Sequence, residues 1–374
     1  MDVIAGGRMD IIELKPKDTD SAMNSTARFL THVAIISLAA AAFPYCGCGQ
    51  TARQEELRLV PHKDSIDVMA GDKLFTTYRF SAEWVRPYFY PVHAPDGRAL
   101  TRGYPMDPKP GDQQDHPHHK SLWVAHGDIN GTDIWSETID KKTGKPKHGY
   151  QIARGVKVIK GEGECVSFDG SVDWVDVEKK KLMEETRTVT ITTTDAGRAI
   201  ELKLDFHASE GDVTFGDTKE SGLCAVRLAC SMNAKRDTRG ENDAKGEGRI
   251  ENSEGQVYER GEPPRPDVKG AEFVWGRRAR WICFSGPVAG KPAGVTIFDH
   301  PSNLRHPTYW HARGYGLCGA NPFGVGAFEN DKTKNGAHTV KHGGHLVLRY
   351  QVLFSDRVPS KDEIEKQFKK FAAE

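Results

Sequence analysis

The 374-residue chain has no excess of either charge: 52 Lys and Arg face 52 Asp and Glu. Phosphate binding leaves a basic footprint, so nucleic acid is not expected as the main partner. The seven cysteines contain no Cys-x-x-Cys spacing. Five of them, Cys165, Cys224, Cys230, Cys283 and Cys318, lie beyond residue 50, and that odd number does not suit a disulfide framework. The missing spacing also removes the usual signature of structural zinc. Nor is there a Gly-x-Ser-x-Gly elbow, a P-loop or a dinucleotide fingerprint, which disfavours serine-hydrolase, nucleotide and Rossmann chemistry. No repeat of solenoid or propeller period is visible. Beyond residue 43 no apolar run is long enough to span a bilayer. Helical periodicity is clear only at the end, where Ser360 and Glu363 form a capping box and Ile364, Phe368 and Phe371 follow at i, i+4 and i+7.

What is abundant is turn chemistry, with 38 Gly and 20 Pro. Period-two alternation accompanies it. Thr186 to Thr194 is rich in β-branched residues, Asp195-Ala196-Gly197 offers a turn, and Ile200, Leu202, Leu204 and Phe206 then alternate with charged neighbours. His207 falls on the polar side. Leu346, Leu348, Tyr350, Val352 and Phe354 share a face in the same way. Ala234 to Gly248, charged and glycine-rich, reads as an exposed excursion. The pattern predicts an all-β protein: one large antiparallel sandwich over residues 51–374 with a short C-terminal helix. Residues 1–50 read as an export signal and linker. Arg28 precedes the apolar run Phe29 to Phe43, and small residues Ala39 to Ala42 close it. A periplasmic or extracellular location is the expectation. Cys46 and Cys48 offer weak alternatives for a lipid anchor.

Histidine is concentrated. His116, His118, His119 and His126 fall within eleven residues, at the end of a long Gly- and Pro-rich loop, Thr101 to Gln114. Histidine titrates near neutrality and is the commonest metal ligand. On an extended segment His116 and His118 would point to one side and His119 to the other. A second cluster holds His300, His306 and His311 with Tyr309 and Trp310. The fold is expected to bring the two clusters into one polar pocket. A single tryptophan in a β protein more often fills the core. The company of Trp123, Trp135 and Trp310 with His, Asn and Arg instead points to stacking on a sugar. The preferred chemistry is proton transfer at a sugar or glycan: epimerisation, elimination or glycosidic cleavage. His119 or His126 would be acid or base, with Glu220 as partner. His116, His118, Trp123, Arg227, Asn252, His306, Trp310, His311 and Asn321 would bind the carbohydrate or other small polar substrate. The alternative is a non-catalytic carbohydrate-binding module. No cofactor is required; a metal, if held, would fall to His116, His118 and His126.

The runs Arg86-Pro87-Tyr88-Phe89-Tyr90-Pro91, Asp115 to Trp123, His126-Gly127-Asp128, Trp275-Gly276-Arg277-Arg278 and Asp299-His300-Pro301-Ser302-Asn303, with Trp310-His311 and Asn321-Pro322-Phe323-Gly324, resemble the family labelled "methane oxygenase PmoA". The resemblance covers roughly Arg58 to Phe371. It implies an exported bacterial protein and a β-supersandwich similar to galactose mutarotases and polysaccharide lyases. The label itself implies a copper oxygenase whose like-named subunit crosses a membrane several times, and so adds a His-ligated metal oxygenase as a further alternative. The mutarotase likeness implies a histidine acid and a glutamate base around a sugar.

Overall fold

The structure is a computed structural model and describes residues 55–234, 246–259 and 274–374. The expected signal, and residues 235–245 of the excursion from Ala234 to Gly248, lie outside the described residues. In chain order the strands are β1 (Leu57–Pro61), β2 (Ser65–Ala70), β3 (Lys73–Arg79), β4 (Tyr88–Val92), β5 (Leu122–His126), β6 (Tyr150–Lys160), β7 (Glu162–Gly163) and β8 (Cys165–Val175). There follow β9 (Lys181–Thr194), β10 (Gly197–His207), β11 (Val213–Phe215), β12 (Ser221–Arg227), β13 (Arg249–Asn252) and β14 (Val257–Glu259). The chain closes with β15 (Trp281–Val288), β16 (Lys291–Asp299), β17 (Tyr309–Trp310), β18 (Leu317–Asn321), helix α1 (Val325–Glu329), β19 (His338–Val340), β20 (His345–Ser355) and helix α2 (Lys361–Ala372).

Eighteen of these strands build two nine-stranded antiparallel sheets, ordered β17-β18-β12-β5-β4-β3-β2-β1-β7 and β14-β13-β15-β16-β20-β10-β9-β8-β6, and β11 pairs with β19 in a small third one. The all-β sandwich with a C-terminal helix is the architecture present. The alternation drives it. Ile200, Leu202, Leu204 and Phe206 of β10, with Leu348, Tyr350, Val352 and Phe354 of β20, enter a common core with Ile66, Val68, Val124 and Val226 of the first sheet. Burying one such side chain contributes about 1.5–3 kcal/mol, so the inward faces hold the layers together. The β9–β10 hairpin turns where its composition says it should, through Asp195 and Ala196. Gly197 closes it at φ 143°, and a Cβ there would sit 2.2 Å from the Phe354 carbonyl oxygen. Only glycine fits that approach.

The two outer faces are covered differently. On the second sheet, Ile364, Phe368 and Phe371 of α2 pack on Ala199, Trp281, Phe298 and Leu353. The outer face of the first sheet is aromatic instead. Tyr88, Tyr90, Trp123, Ala125, Ala225 and Leu317 form an aromatic floor, joined by Trp135 from the loop after β5. That floor carries the first histidine cluster.

Candidate binding site on the outer face of the first sheet

The segment before β5 is a turn rather than an extended strand. The His119 amide donates to the His116 carbonyl at 3.0 Å, and His116 and Ser121 take left-handed φ of 45° and 66°. The expectation that His119 points away from His116 and His118 is corrected by this reversal. All three rings gather: centroids lie 4.8 Å apart for His116 and His119, 4.4 Å for His118 and His119, and 5.7 Å for His116 and His118. Buried arginines fasten the turn from below. Arg102 donates to the carbonyls of Gln113 (2.9 Å) and His116 (3.1 Å), and to Asp115 at 2.5 Å. Arg86 donates to the His118 carbonyl at 3.2 Å.

The aromatic floor orders the rings above it. His119 stacks on Trp123 at 5.3 Å, and His116 stacks between His119 and Tyr315, 5.4 Å from the latter. Trp135 lies edge-on to His118 and His119, at 6.0 and 5.7 Å. It also tilts toward His311, centroid to centroid 6.0 Å. At the end of β12, Arg227 donates to Asp115 (2.8 Å) and the Gln113 side chain (3.0 Å), and covers the Tyr315 ring at 4.6 Å. Strand parity places these groups together. Leu122 and Val124 of β5 face the core, so Trp123 and Ala125 face outward.

Hydrogen-bond direction sets the tautomers. Arg227 Nη1 meets His119 Nδ1 at 3.3 Å, and a guanidinium can only donate, so a neutral His119 carries its proton on Nε2. Burial first, then the charges of His118 and Arg227, hold the His119 imidazole well below its ordinary range. Burial and the Arg86 charge bring His118 down to about 3, and burial with Arg313 and Lys219 brings His311 to about 3. Burial also lowers Lys120, against the pull of Glu137, whose carboxylate accepts from it at 3.0 Å. For Asp115, burial alone would raise the carboxyl. The bond to His116 and the charges of Arg227 and Arg102 outweigh it and leave the group well below the carboxylate range. His116 differs from its neighbours. Its Nδ1 lies 2.8 Å from Asp115 Oδ2, and its side chain is 40 % exposed.

Among the described residues several polar atoms buried at this face have no protein partner: His311 Nδ1, Trp123 Nε1, Trp135 Nε1 and Arg227 Nε. An unsatisfied buried polar group costs about 1–3 kcal/mol, so such a concentration marks a place built to meet something else.

The expected convergence of the two histidine-rich loops is met only by His311. His306 Nδ1 donates to the Asp299 carboxylate at 2.7 Å, and the ring stacks on Phe368 of α2, on the outer side of the second sheet. Trp310 lies in the core, its indole donating to the Ala279 carbonyl at 2.9 Å. His126 shares the inward parity of Leu122 and Val124. Its Nε2 donates to the Gly216 carbonyl (3.0 Å) and its Nδ1 accepts from the Ser221 hydroxyl (2.8 Å), so both nitrogens are engaged. Burial lowers it to about 4. Asn321 braces a loop, accepting from the amides of Phe323 and Gly324 and donating to the Thr218 carbonyl. Asn252 likewise closes the β13–β14 turn, with Glu254, Gln256 and the Gln256 side chain as partners. Glu220 is 43 % exposed, pairs with Lys219, and stands at the opposite end of β12 from Arg227. The metal trio His116, His118 and His126 is not assembled, because His126 faces the core. Among the described residues no three His, Cys, Asp or Glu side chains are arranged to hold a metal ion. Sequence reasoning missed Arg86, Arg102, Lys120 and Glu137, since nothing in local patterning distinguishes a buried cation from a surface one.

A profile described as a family of unknown function, DUF6807, matches residues 65–369. The chain belongs to that family. The DUF6807 description names no activity, and nothing in the match carries the oxygenase label of the resembled family. No curated protein matches the sequence. Among solved structures the chain is similar to a galactose mutarotase-like protein from Lactobacillus casei ATCC 334 (11 % identity, TM-score 0.32, covering 80 % of this chain and 99 % of that one). It is also similar to a galactose mutarotase related enzyme from Lactobacillus acidophilus, at 11 % identity and TM-score 0.34, covering 81 % of this chain and 100 % of the other. A galactose mutarotase-like protein from Clostridium acetobutylicum matches at 10 % identity and TM-score 0.32, over 80 % and 94 % of the two chains.

Proposed function

We propose that the face around the His116–His119 turn binds a carbohydrate or similarly hydroxylated small substrate and moves a proton on it. The observation that carries this is the mixed set of unpartnered buried groups, one imidazole acceptor and several N–H donors, set in an aromatic wall. A hydroxyl both donates and accepts, and a sugar's C–H face packs on aromatic rings, so one ligand class meets both halves of the site. His116 is the group placed to transfer the proton. Asp115 can only accept from its Nδ1, which leaves the Nε2 lone pair on a half-exposed ring. His118, His119 and His311 are held neutral by burial and serve as hydrogen-bonding groups rather than acids. The signal-like sequence from Arg28 to Ala42 supports action outside the cytoplasm. A binding module without turnover is the second reading, favoured by the depressed proton affinity of every fully buried imidazole at the face.

A glycan panel, followed by calorimetry and by product analysis, tests the proposal. The cognate sugar should bind, His116→Ala should lower turnover at least 100-fold while retaining affinity within a few-fold, and His119→Ala should weaken affinity. Binding with no product from any sugar would leave the module; a protein that ignores the whole panel would end the sugar reading.

A further inference from the structure

We infer that the substrate of this face is acidic: a sugar or short glycan carrying a carboxylate or sulfate group. The inference rests on the carbohydrate reading and adds the charge of the ligand to it. Four cationic side chains are buried under the histidine turn: Arg86, Arg102, Lys120 and Arg227, none with more than 2 % of its side chain exposed. Two carboxylates answer them. Asp115 serves both Arg102 (2.5 Å) and Arg227 (2.8 Å), and Glu137 serves both Lys120 (3.0 Å) and Arg86 (4.0 Å). Asp133, whose charge also reaches Arg86, is engaged by the amides of Trp135 and Ser136 at 2.8 and 3.0 Å. Among the described residues Arg86 Nε and Arg227 Nε have no acceptor, and Arg86 Nη2 faces Glu137 Oε1 only at ion-pair distance, beyond a hydrogen bond. Buried charge is stable only when compensated, and here the cations outnumber their partners among the described residues. The whole chain is formally neutral, so the surplus is a feature of this place and not of the composition. Arg86 also acts on His118, second only to burial in lowering its proton affinity, which reports a positive potential where a ligand would lie.

A cavity of about 480 Å³ extends the same face and carries the same sign. Phe328 joins the two, with its ring 6.3 Å from His311 on one side and 5.2 Å from Trp275 on the other. Arg277 and Arg278 line the cavity. Arg278 is held in place by the carbonyls of Pro307 (2.8 Å) and Arg305 (3.2 Å), with its guanidinium over the Tyr309 ring at 5.4 Å. Among the described residues of the lining the one carboxylate, Glu329, is taken by Lys334 and the Tyr309 hydroxyl. An aromatic wall beside oriented guanidinium groups suits a sugar ring with an oxyanion at its edge.

The test compares binding of the full chain to a uronic-acid oligosaccharide, to the same oligosaccharide with its carboxylates methyl-esterified, and to a sulfated oligosaccharide of similar length. At least one anionic form should bind ten-fold or more tightly than the ester, and the advantage should shrink as salt is raised from 0.05 to 0.5 M. Whichever anionic form binds identifies the oxyanion. Arg277→Gln and Arg278→Gln, with folding checked by circular dichroism, should each reduce the anionic advantage several-fold. Equal affinity for acid and ester would overturn the inference and leave the sugar reading intact. Inorganic sulfate or phosphate binding as tightly as the oligosaccharides would also overturn it, because no sugar would then be recognised. If neither these nor neutral sugars bind, both readings fall.

Discussion

At the scale of single residues, the histidines divide by strand parity. His126 is bound to Ser221 and Gly216 and faces the core, whereas His116 faces solvent beside Asp115. This division is visible in the alternation Leu122, Val124, His126, which already puts His126 on the apolar side. The density of histidine before β5 locates the site without regard to parity, and so it overcounts. Trp310 is the sequence neighbour of His311, yet one residue along the chain is enough to send Trp310 to the core and His311 to the face. His126→Ala should remove the partners of a buried hydroxyl and a buried carbonyl. It should destabilise the protein by about 2–4 kcal/mol in chemical denaturation, from two lost bonds and the cavity. His116→Ala, at a half-exposed ring, should shift the same midpoint by less than about 1 kcal/mol. Equal losses would mean that the two residues have the same structural role.

Elements were more legible than contacts. The β9–β10 hairpin, the inward face of β20 and the stripe of α2 follow from period two, period 3.6 and one turn. Local rules act there within a few residues. The turn at His116 to Ser121 was not legible, because its left-handed residues are not glycines and its geometry is imposed by Arg102 and Arg86 from distant segments. The helix end gives a clean test at this scale. Ser360 Oγ accepts from the Glu363 amide, and the Glu363 carboxylate accepts from the Ser360 amide at 2.8 Å. Ser360→Ala should cost about 1 kcal/mol, and Ser360→Asp should restore most of it, read from thermal or urea midpoints. Since α2 covers Trp281 and Phe298, its fraying should also raise the exposure of Trp281, detectable as a shift in tryptophan emission. No change in either signal would show that the helix is held by its apolar stripe alone.

Across the whole molecule, the buried histidines link stability to pH. His119, His126 and His311 are all but fully buried, and burial is the leading cause that lowers each of them. A lowered proton affinity in the folded state means that the unfolded chain takes up protons first as pH falls. The contribution to stability is therefore present in full above about pH 6.5, the ordinary histidine value. It is lost progressively as pH falls through the window between that value and the folded-state values, which are about 4 for His126 and about 3 for His311. Within that window each such imidazole should contribute a slope of about 1.4 kcal/mol per pH unit. Three together should make stability fall by about 4 kcal/mol per unit near pH 5, before most carboxylates titrate. Urea midpoints taken from pH 7.5 to 4.5 measure this directly. His311→Gln should remove about one proton's share of the slope while leaving stability at pH 7.5 changed far less than stability at pH 5. A flat profile down to pH 5 would mean that these rings are charged, or open to water, in the folded protein. A hydrogen-bonding site built on neutral imidazoles would then lose its basis. If the profile is steep, bound ligand should flatten it only to the extent that the ligand prefers one protonation state. An acidic sugar prefers the protonated imidazoles, so it should protect the fold more at pH 5 than at pH 7.5.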